Sequence, residues 1–418
     1  MSTALPSYEE AAALVAAYTA QLAPPRAVER VELGRAAGRV LAQTLRADQD
    51  QPPFARSTRD GYACLAAEAS RHAPLAIAGS TRAGEAPAGP LPPGAAWEIM
   101  TGAPVPAGAD AVMMIEHVEV VDGSVRLLPP RAIAAGENIV PKGAQACAGD
   151  ELLGPGSAIG FAQVALAASC GCAVLEVFAR PRVAILSTGD ELVPVEAEPA
   201  PGQIRNSSSH MLAAMIAAAG GEPWVLPVAG DRAEALDAAL AQAAEADLLL
   251  ITGGVSAGRF DLVEPALARR GARFHFTGVR IQPGKPLVFG EMPGPAGANL
   301  NQNQNGTKCL FGLPGNPISS AVTFLLFAAP VLAALGGRVD RGPRFALARL
   351  GADVKGKPGL TGFLPAWCTF LGELPEVTHV EWQGSGDLAA MARSNCFLVL
   401  PEDASHLQTG ATVRILLA

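Results

Sequence analysis

The hydrophobic pattern changes character along the 418 residues. From about Arg182 to Leu335, short apolar runs alternate with amphipathic stretches. "RVAILS" suits a buried strand, and Ser207 to Ala219 follows as a helix with a Ser-rich cap, stopped by Gly220 and Gly221. "WVLPV" reads as strand, Arg232 to Glu245 as an alanine-rich helix, "DLLLIT" as strand and Asp261 to Arg270 as helix. "ARFHFTGVRI" and "PLVFG" add two strands, and "KCLFG" leads through "LPGNP" into an apolar helix from Ile318 to about Leu335. Strands alternating with helices predict an α/β domain on a parallel sheet covered on both faces.

The flanks read differently. Residues 46–140 are rich in Pro and Gly, with strand-like pieces such as "APLAIAG", "AWEIM" and "AVMMIEHVEV". After Gly337 come "RFALARL", "GFLPAWCTF", "THVEW", "NCFLVL" and "ATVRILL", short strands predicting a small β-barrel or sandwich. The expected plan is an N-terminal helix in 1–26, a discontinuous linker domain of 27–45 and 141–180, and a β-rich domain of 46–140 inserted between its parts. The α/β domain takes 181–336 and a C-terminal β domain 337–418, making an α/β multidomain chain. Gly294 to Lys308, "GPAGANLNQNQNGTK", reads as a polar loop.

Composition narrows the function classes. A net charge of −8 argues against nucleic acid as a partner, which calls for a basic surface. Small anions stay open if positive groups gather locally. Seven scattered cysteines make neither a secreted disulfide framework nor, at "CGC" (Cys170 to Cys172), a zinc spacing, and imply a reduced, cytoplasmic protein. The uncharged stretch Ile159 to Leu175 is interrupted by Ser169 and Gly171 and reads as a helix turning into a strand, not a membrane span. The start lacks the basic region of a signal peptide.

The candidate chemistry lies where the strands end. In an open parallel α/β sheet, ligands bind beyond the carboxyl ends of the strands. "STGDEL" follows the first strand, "TGGVSAGRFD" the third and "LPGNP" the last, with "QPGKP" expected nearby. Gly253 and Gly254 let backbone N–H groups approach an anion, and the helix near Asp261 offers more of them. The plainer reading is that these glycines only serve tight turns, but several such loops converging on one edge favour a phosphate site. No G-x-G-x-x-G or G-x-x-x-x-G-K-[ST] occurs, which disfavours nicotinamide enzymes and P-loop ATPases. Asp190, Glu191, Asp231 and Asp261 accompany the glycines and suit Mg²⁺ held by carboxylates together with substrate phosphates, although helix capping is the plainer role for Asp231 and Asp261. Lys285, in the proline-bounded "PGKP", aims a point charge at the crevice. A second group of special-backbone and polar residues lies in "PPFARSTRDGYA", with Asp60, and "IMTGAPVPAGAD", with Thr101.

Together "RSTRDGYA", "IMTGAPVPAGADAV", "GENIVPKG", "STGDEL", "ITGGVSAGRFD", "QPGKPLVFG", "LPGNPISS" and "GSGD" resemble, in order and over nearly the whole chain, the MoeA family of molybdopterin molybdenumtransferases, related to the gephyrin E domain. The resemblance implies four domains per subunit, an elongated homodimer, and insertion of molybdate into adenylylated molybdopterin with Mg²⁺ and release of AMP. By resemblance, Asp60, Thr101, Glu191 and Lys285 carry the chemistry, and Glu191, Asp231 and Asp261 hold the metal. Gly253, Gly254, Ser256, Arg259, Pro314, Gly315, Asn316 and Ser385 bind substrate. Asp60 and Thr101 reach the pocket from the partner subunit, so the active site is shared, and a contact with the upstream adenylyltransferase is allowed for.

Departures from the family pattern fall at Ala55 and Arg59, at Gln282 where many members carry Lys, at Ala144 and Gln145, and in "PGLTGFLPA", which lacks arginines. Arg59, Arg205 and Arg259 are the candidates to replace the lost charge. The competing functions are a molybdopterin adenylyltransferase, disfavoured by the full-length flanking domains, and an inactive scaffold, disfavoured by retention of Asp60, Glu191, Asp261 and Lys285.

Overall fold

The computed structural model describes residues 5–22, 25, 27–254, 262–294 and 306–418. The chain divides into two compact units, one of residues 1–42, 155–160 and 174–418, the other of 43–154 and 161–173.

In the larger unit, six strands form a central sheet: β1 Arg182–Ser187, β2 Glu222–Val225, β3 Leu248–Thr252, β4 Arg273–Thr277, β5 Val288–Pro293 and β6 Thr307–Leu313. Their spatial order is β2-β1-β3-β6-β5-β4. Along β1, Val183 and Ile185 enter one hydrophobic core while Ala184 and Leu186 enter a second. Leu248 and Leu250 of β3 alternate with Leu249 and Ile251 in the same way. That is why these strands read as unbroken apolar runs: both faces are buried. Burying one such side chain contributes about 1.5–3 kcal/mol, enough to fix the register against a one-residue slip.

Helices cover both faces, as expected. Helix α1 (Ser207–Ala218) supplies Leu212 and Ile216 to the first core, while α2 (Ala233–Gln242) and α3 (Val263–Arg269) supply Leu236, Leu240 and Leu267 to the second. The cap of α1 is Asn206 rather than the serines, its side chain accepting from the Ser209 N–H at 3.1 Å. The last apolar stretch is not one regular helix. It comprises α4 (Pro317–Thr323), a widened π turn (Phe324–Ala328) and α5 (Ala329–Leu335). Pro330 lacks the N–H that an unbroken α-helix needs, and the irregular turn precedes it. By length and composition this stretch could cross a membrane, but 83% of its apolar window is buried, as in a core helix.

The expectation of a parallel sheet requires one correction. β1, β2, β3 and β6 pair in parallel, but β5 pairs antiparallel with both β6 and β4, so β5 alone runs backwards. A parallel neighbour requires a crossover, usually helical; the described residues joining β4 to β5 contain no helix, and the β5–β6 connection closes a hairpin in which the Gly294 N–H meets the Gly306 carbonyl at 3.1 Å. The expected strand "ARFHFTGVRI" also splits: it ends as β4 at Thr277, and Ile281–Gln282 pairs instead with Thr361–Gly362 of the C-terminal sheet.

An N-terminal helix, Tyr8–Ala20, starts with a capping box in which Ser7 Oγ accepts from the Glu10 N–H at 3.1 Å and a Glu10 oxygen accepts from the Ser7 N–H at 2.7 Å. The C-terminal strands close into a barrel, because Thr361–Thr369 pairs with both Glu376–His379 and Cys396–Leu400. In the smaller unit a six-stranded sheet is ordered Ala111–Met114, Gly61–Cys64, Ala95–Ile99, Leu75–Thr81, Ser124–Leu127 and Val118–Val121. The uncharged stretch resolves into helix Phe161–Ser169 and strand Val174–Phe178, as read from its interrupting residues.

Candidate active site

β1, β2, β3, β4 and β6 point the same way, so the loops leaving their carboxyl ends share one edge. The segment "QPGKP" therefore belongs to this edge, because β4 ends there and β5 starts there. Backbone bonds stitch the loops together. The Thr188 N–H donates to the Thr252 carbonyl at 2.9 Å, the Gly189 N–H to Ala229 at 3.2 Å, and the Gly253 N–H to Leu313 at 3.4 Å.

Gly253 and Gly254 have φ of +85° and +62°, left-handed conformations costly for other residues. They also leave no space. A Cβ at Gly253 would lie 2.6 Å from the Thr188 carbonyl oxygen, and one at Gly254 would lie 2.8 Å from Val263 Cγ2. These glycines serve a tight turn and keep side chains off the edge where N–H groups can meet an anion, so the two readings of them are compatible. Beneath them Thr188 Oγ1 is buried with no hydrogen-bond partner among the described residues, a feature the sequence did not disclose.

The carboxylates sit on adjoining loops. Asp190, Glu191 and Asp231 are all exposed, and the Asp231 N–H donates to Asp190 Oδ1 at 3.1 Å. Glu191 folds back over Gly189, where any side chain would collide with Glu191 Oε2. The capping role expected for Asp231 is not found: α2 has Arg232 at its cap and no side-chain cap bond. Asp261, Ser256 and Arg259 lie outside the described residues. Among the described residues, no three His, Cys, Asp or Glu side chains gather closely enough to hold a metal alone. Hard carboxylate oxygens on two tied loops nevertheless match Mg²⁺, which usually takes one or two carboxylates and completes its shell with phosphate and water.

The loop after β6 brings further predicted residues together. Asn316 Nδ2 donates to Ser385 Oγ at 2.8 Å, and the Ile318 N–H donates to the Ser385 carbonyl at 3.0 Å. Ser208 Oγ donates to the Gly315 carbonyl at 3.4 Å, and Ser320 Oγ donates to the Pro314 carbonyl. Lys285 is exposed, its carbonyl accepting from the Val279 N–H at 2.9 Å. Arg205, a candidate replacement charge, is tied to the Val195 and Ala197 carbonyls at 2.9 and 3.2 Å. A buried Ser187–Asn206–Ser209 cluster, with Ser187 Oγ 2.7 Å from Ser209 Oγ, fixes the start of α1 at this edge. "NSSS" was its only signal in the sequence.

Asp60 and Thr101 belong to the smaller unit, where they form a pair of their own. Asp60 Oδ1 accepts from both the N–H and the hydroxyl of Thr101, each at 2.7 Å. The backbone bond, then the hydroxyl bond, holds the Asp60 carboxyl below the usual carboxylate range. Among the described residues, Oδ2 takes no hydrogen bond, so an ionised oxygen stays open to solvent.

Glycine turns, grouped carboxylates and a lysine turn thus share one edge of the sheet in an α/β multidomain protein. Family models match along the chain: MoeA N-terminal region (domain I and II) over residues 6–171, probable molybdopterin binding domain over 184–334, and MoeA C-terminal region (domain IV) over 347–418. The chain is 33% identical to a molybdopterin molybdenumtransferase of Nostoc sp., covering 99% of this chain and 94% of that protein. It is 34% identical to one of Bacillus subtilis, covering 93% and 89%. A molybdopterin biosynthesis MoeA protein structure from Pyrococcus horikoshii superposes with a TM-score of 0.71 at 32% identity, covering 99% of each chain. The chain belongs to the MoeA family.

Proposed function

We propose that this chain is a molybdopterin molybdenumtransferase, inserting molybdate into adenylylated molybdopterin and releasing AMP in molybdenum cofactor biosynthesis. The observation that carries the reading is the stitched edge, where glycine turns, carboxylates and the Lys285 turn share one side of a rigid sheet. Both substrates are anions and the chain carries −8 overall, so local donors must offset the protein's own field. The Gly254 N–H is offered to phosphate, Lys285 supplies a cation, and the Asn316–Ser385 pair fixes the polar rim.

Glu191 and Asp231, with Asp261, would hold Mg²⁺. When bound, that ion would draw charge from the phosphate oxygens as AMP leaves. We further propose a homodimer in which the Asp60–Thr101 pair of one copy serves the sheet-edge pocket of the other. Its open, ionised Oδ2 suits a charge-assisted bond there. The adenylate would come from the upstream adenylyltransferase, and the seven free thiols suit a cytoplasmic reaction.

Purified protein mixed with adenylylated molybdopterin, Mg²⁺ and molybdate is expected to release AMP and to reconstitute a cofactor-free molybdoenzyme. EDTA should stop both. An undiminished rate in EDTA would remove the metal from the scheme. Formation of the adenylate from ATP would instead identify an adenylyltransferase, and neither reaction would identify a scaffold.

A milder change probes the turn. Lys285→Met is expected to lower kcat/KM about ten- to a hundredfold, the scale of one charge-assisted hydrogen bond of roughly 1.5–3 kcal/mol. Gln282, in the same turn, carries no charge that could replace the lost one. Unchanged kinetics would show that Lys285 faces away from the anions.

A further inference from the structure

The edge of the sheet opposite these loops carries a basic groove with an apolar floor. Two adjoining cavities, about 450 and 140 Å³, share Ala218, Ala219, Ala333 and Arg338 among their lining residues, so they form one continuous channel beside the carboxyl ends of α1 and α5. Met215 and Leu325 supply apolar surface, Leu325 coming from the π turn. Five arginines line the channel: Arg39, Arg180, Arg338, Arg341 and Arg344.

Their partners are few. Arg39 pairs with Glu29 at 2.7 Å, and Arg338 approaches Asp340 only to 3.8 Å while its buried Nε has no hydrogen-bond partner among the described residues. Arg341 is locked in place, donating from Nε to the Arg338 carbonyl at 2.6 Å and from Nη1 to the Thr19 carbonyl at 2.9 Å. Arg180 and Arg344 are exposed and form no ion pair among the described residues. The five guanidiniums outnumber the carboxylates of Glu29 and Asp340 that meet them. The chain as a whole carries −8. Arg180 in one basin and Arg344 in the other are exposed guanidiniums beside apolar surface, a pairing that suits an anion with apolar parts.

We propose that this groove docks an extended acidic segment of another protein, with apolar side chains alternating with its carboxylates. In an extended segment alternate residues face opposite ways, so apolar groups can fill the two basins while carboxylates meet the arginines. Nucleic acid fits poorly, because stacking requires open aromatic faces and Phe324, the aromatic residue of the larger basin, is 1% exposed.

The test uses the full chain and fluorescein-labelled octapeptides that alternate Asp or Glu with Leu or Phe, read by fluorescence anisotropy. The best of them is expected to bind with Kd on the order of 10 μM at low salt and to weaken steeply as salt rises. Arg180→Glu combined with Arg344→Glu should weaken binding about tenfold or more and leave AMP release unchanged. If the reversal lowers the melting temperature, Arg180→Met with Arg344→Met should move binding in the same direction. Replacing the apolar residues of the peptide with Ser should also cost about tenfold. The proposal is overturned if no peptide binds below 100-fold that Kd, if the arginine variants bind as wild type, or if the Ser peptides bind equally. It is also overturned if single-stranded DNA binds more tightly, if AMP with molybdate displaces the peptide, or if the charge reversal changes the oligomeric state, which would assign this face to a second copy.

Discussion

Co-expressed Asp60→Asn and Glu191→Gln chains are expected to recover about half of wild-type activity per heterodimer, with either variant alone expected to be inactive as a homodimer. Both substitutions preserve shape while removing charge. An amide oxygen at position 60 can still accept the two Thr101 bonds, and the glutamine side chain of Glu191→Gln would still fit over Gly189. If each pocket draws Glu191 from one chain and Asp60 from the other, a heterodimer has one pocket with both lesions and one with neither. If both residues serve a pocket within one chain, every pocket carries a lesion. Purified heterodimers that stay inactive, though folded and dimeric, would refute the shared site without touching the assignment of the reaction.

Gly253→Ala should all but abolish adenylate binding, by a hundredfold or more on the scale of a loss near 3 kcal/mol. Positive φ alone costs a non-glycine residue about 1–2 kcal/mol. The added methyl would also press on the Thr188 carbonyl at 2.6 Å, which cannot yield easily because the Thr188 N–H is bound to Thr252. The loop must therefore move, taking its N–H groups with it. Gly220→Ala separates the causes: φ there is +91°, but no atom lies within 4 Å of the added carbon. That variant should lose some stability and keep its affinity. Normal binding by Gly253→Ala would show that the glycine turn merely links strand to helix.

The sequence made the layer plan legible because burial on both faces writes itself as unbroken apolar runs, as in "RVAILS" and "DLLLIT". The reversal of β5 was not legible, since direction depends on what connects the strands, and "PLVFG" has the same character either way. Local chemistry also misled at Asp231, which resembles a cap but donates its N–H to Asp190. The glycine and carboxylate loops announced themselves through residue type. Thr188 and the Ser187–Asn206–Ser209 cluster did not, because a buried hydroxyl is indistinguishable in sequence from one in a surface turn. The pairing of Asn316 with Ser385 joins positions 69 residues apart, a distance no local pattern spans.

The backward strand has a practical corollary. Because β5 descends from the ligand edge and β6 climbs back to it, the connection between them leaves and returns on the far side, at Gly294 and Gly306. A strand of 6 residues separates those ends from the ligand loops, about 20 Å at the usual rise. A reporter or affinity tag spliced into that connection would hang from the back of the sheet, away from the substrates, which makes it the natural place to immobilise or label a working enzyme.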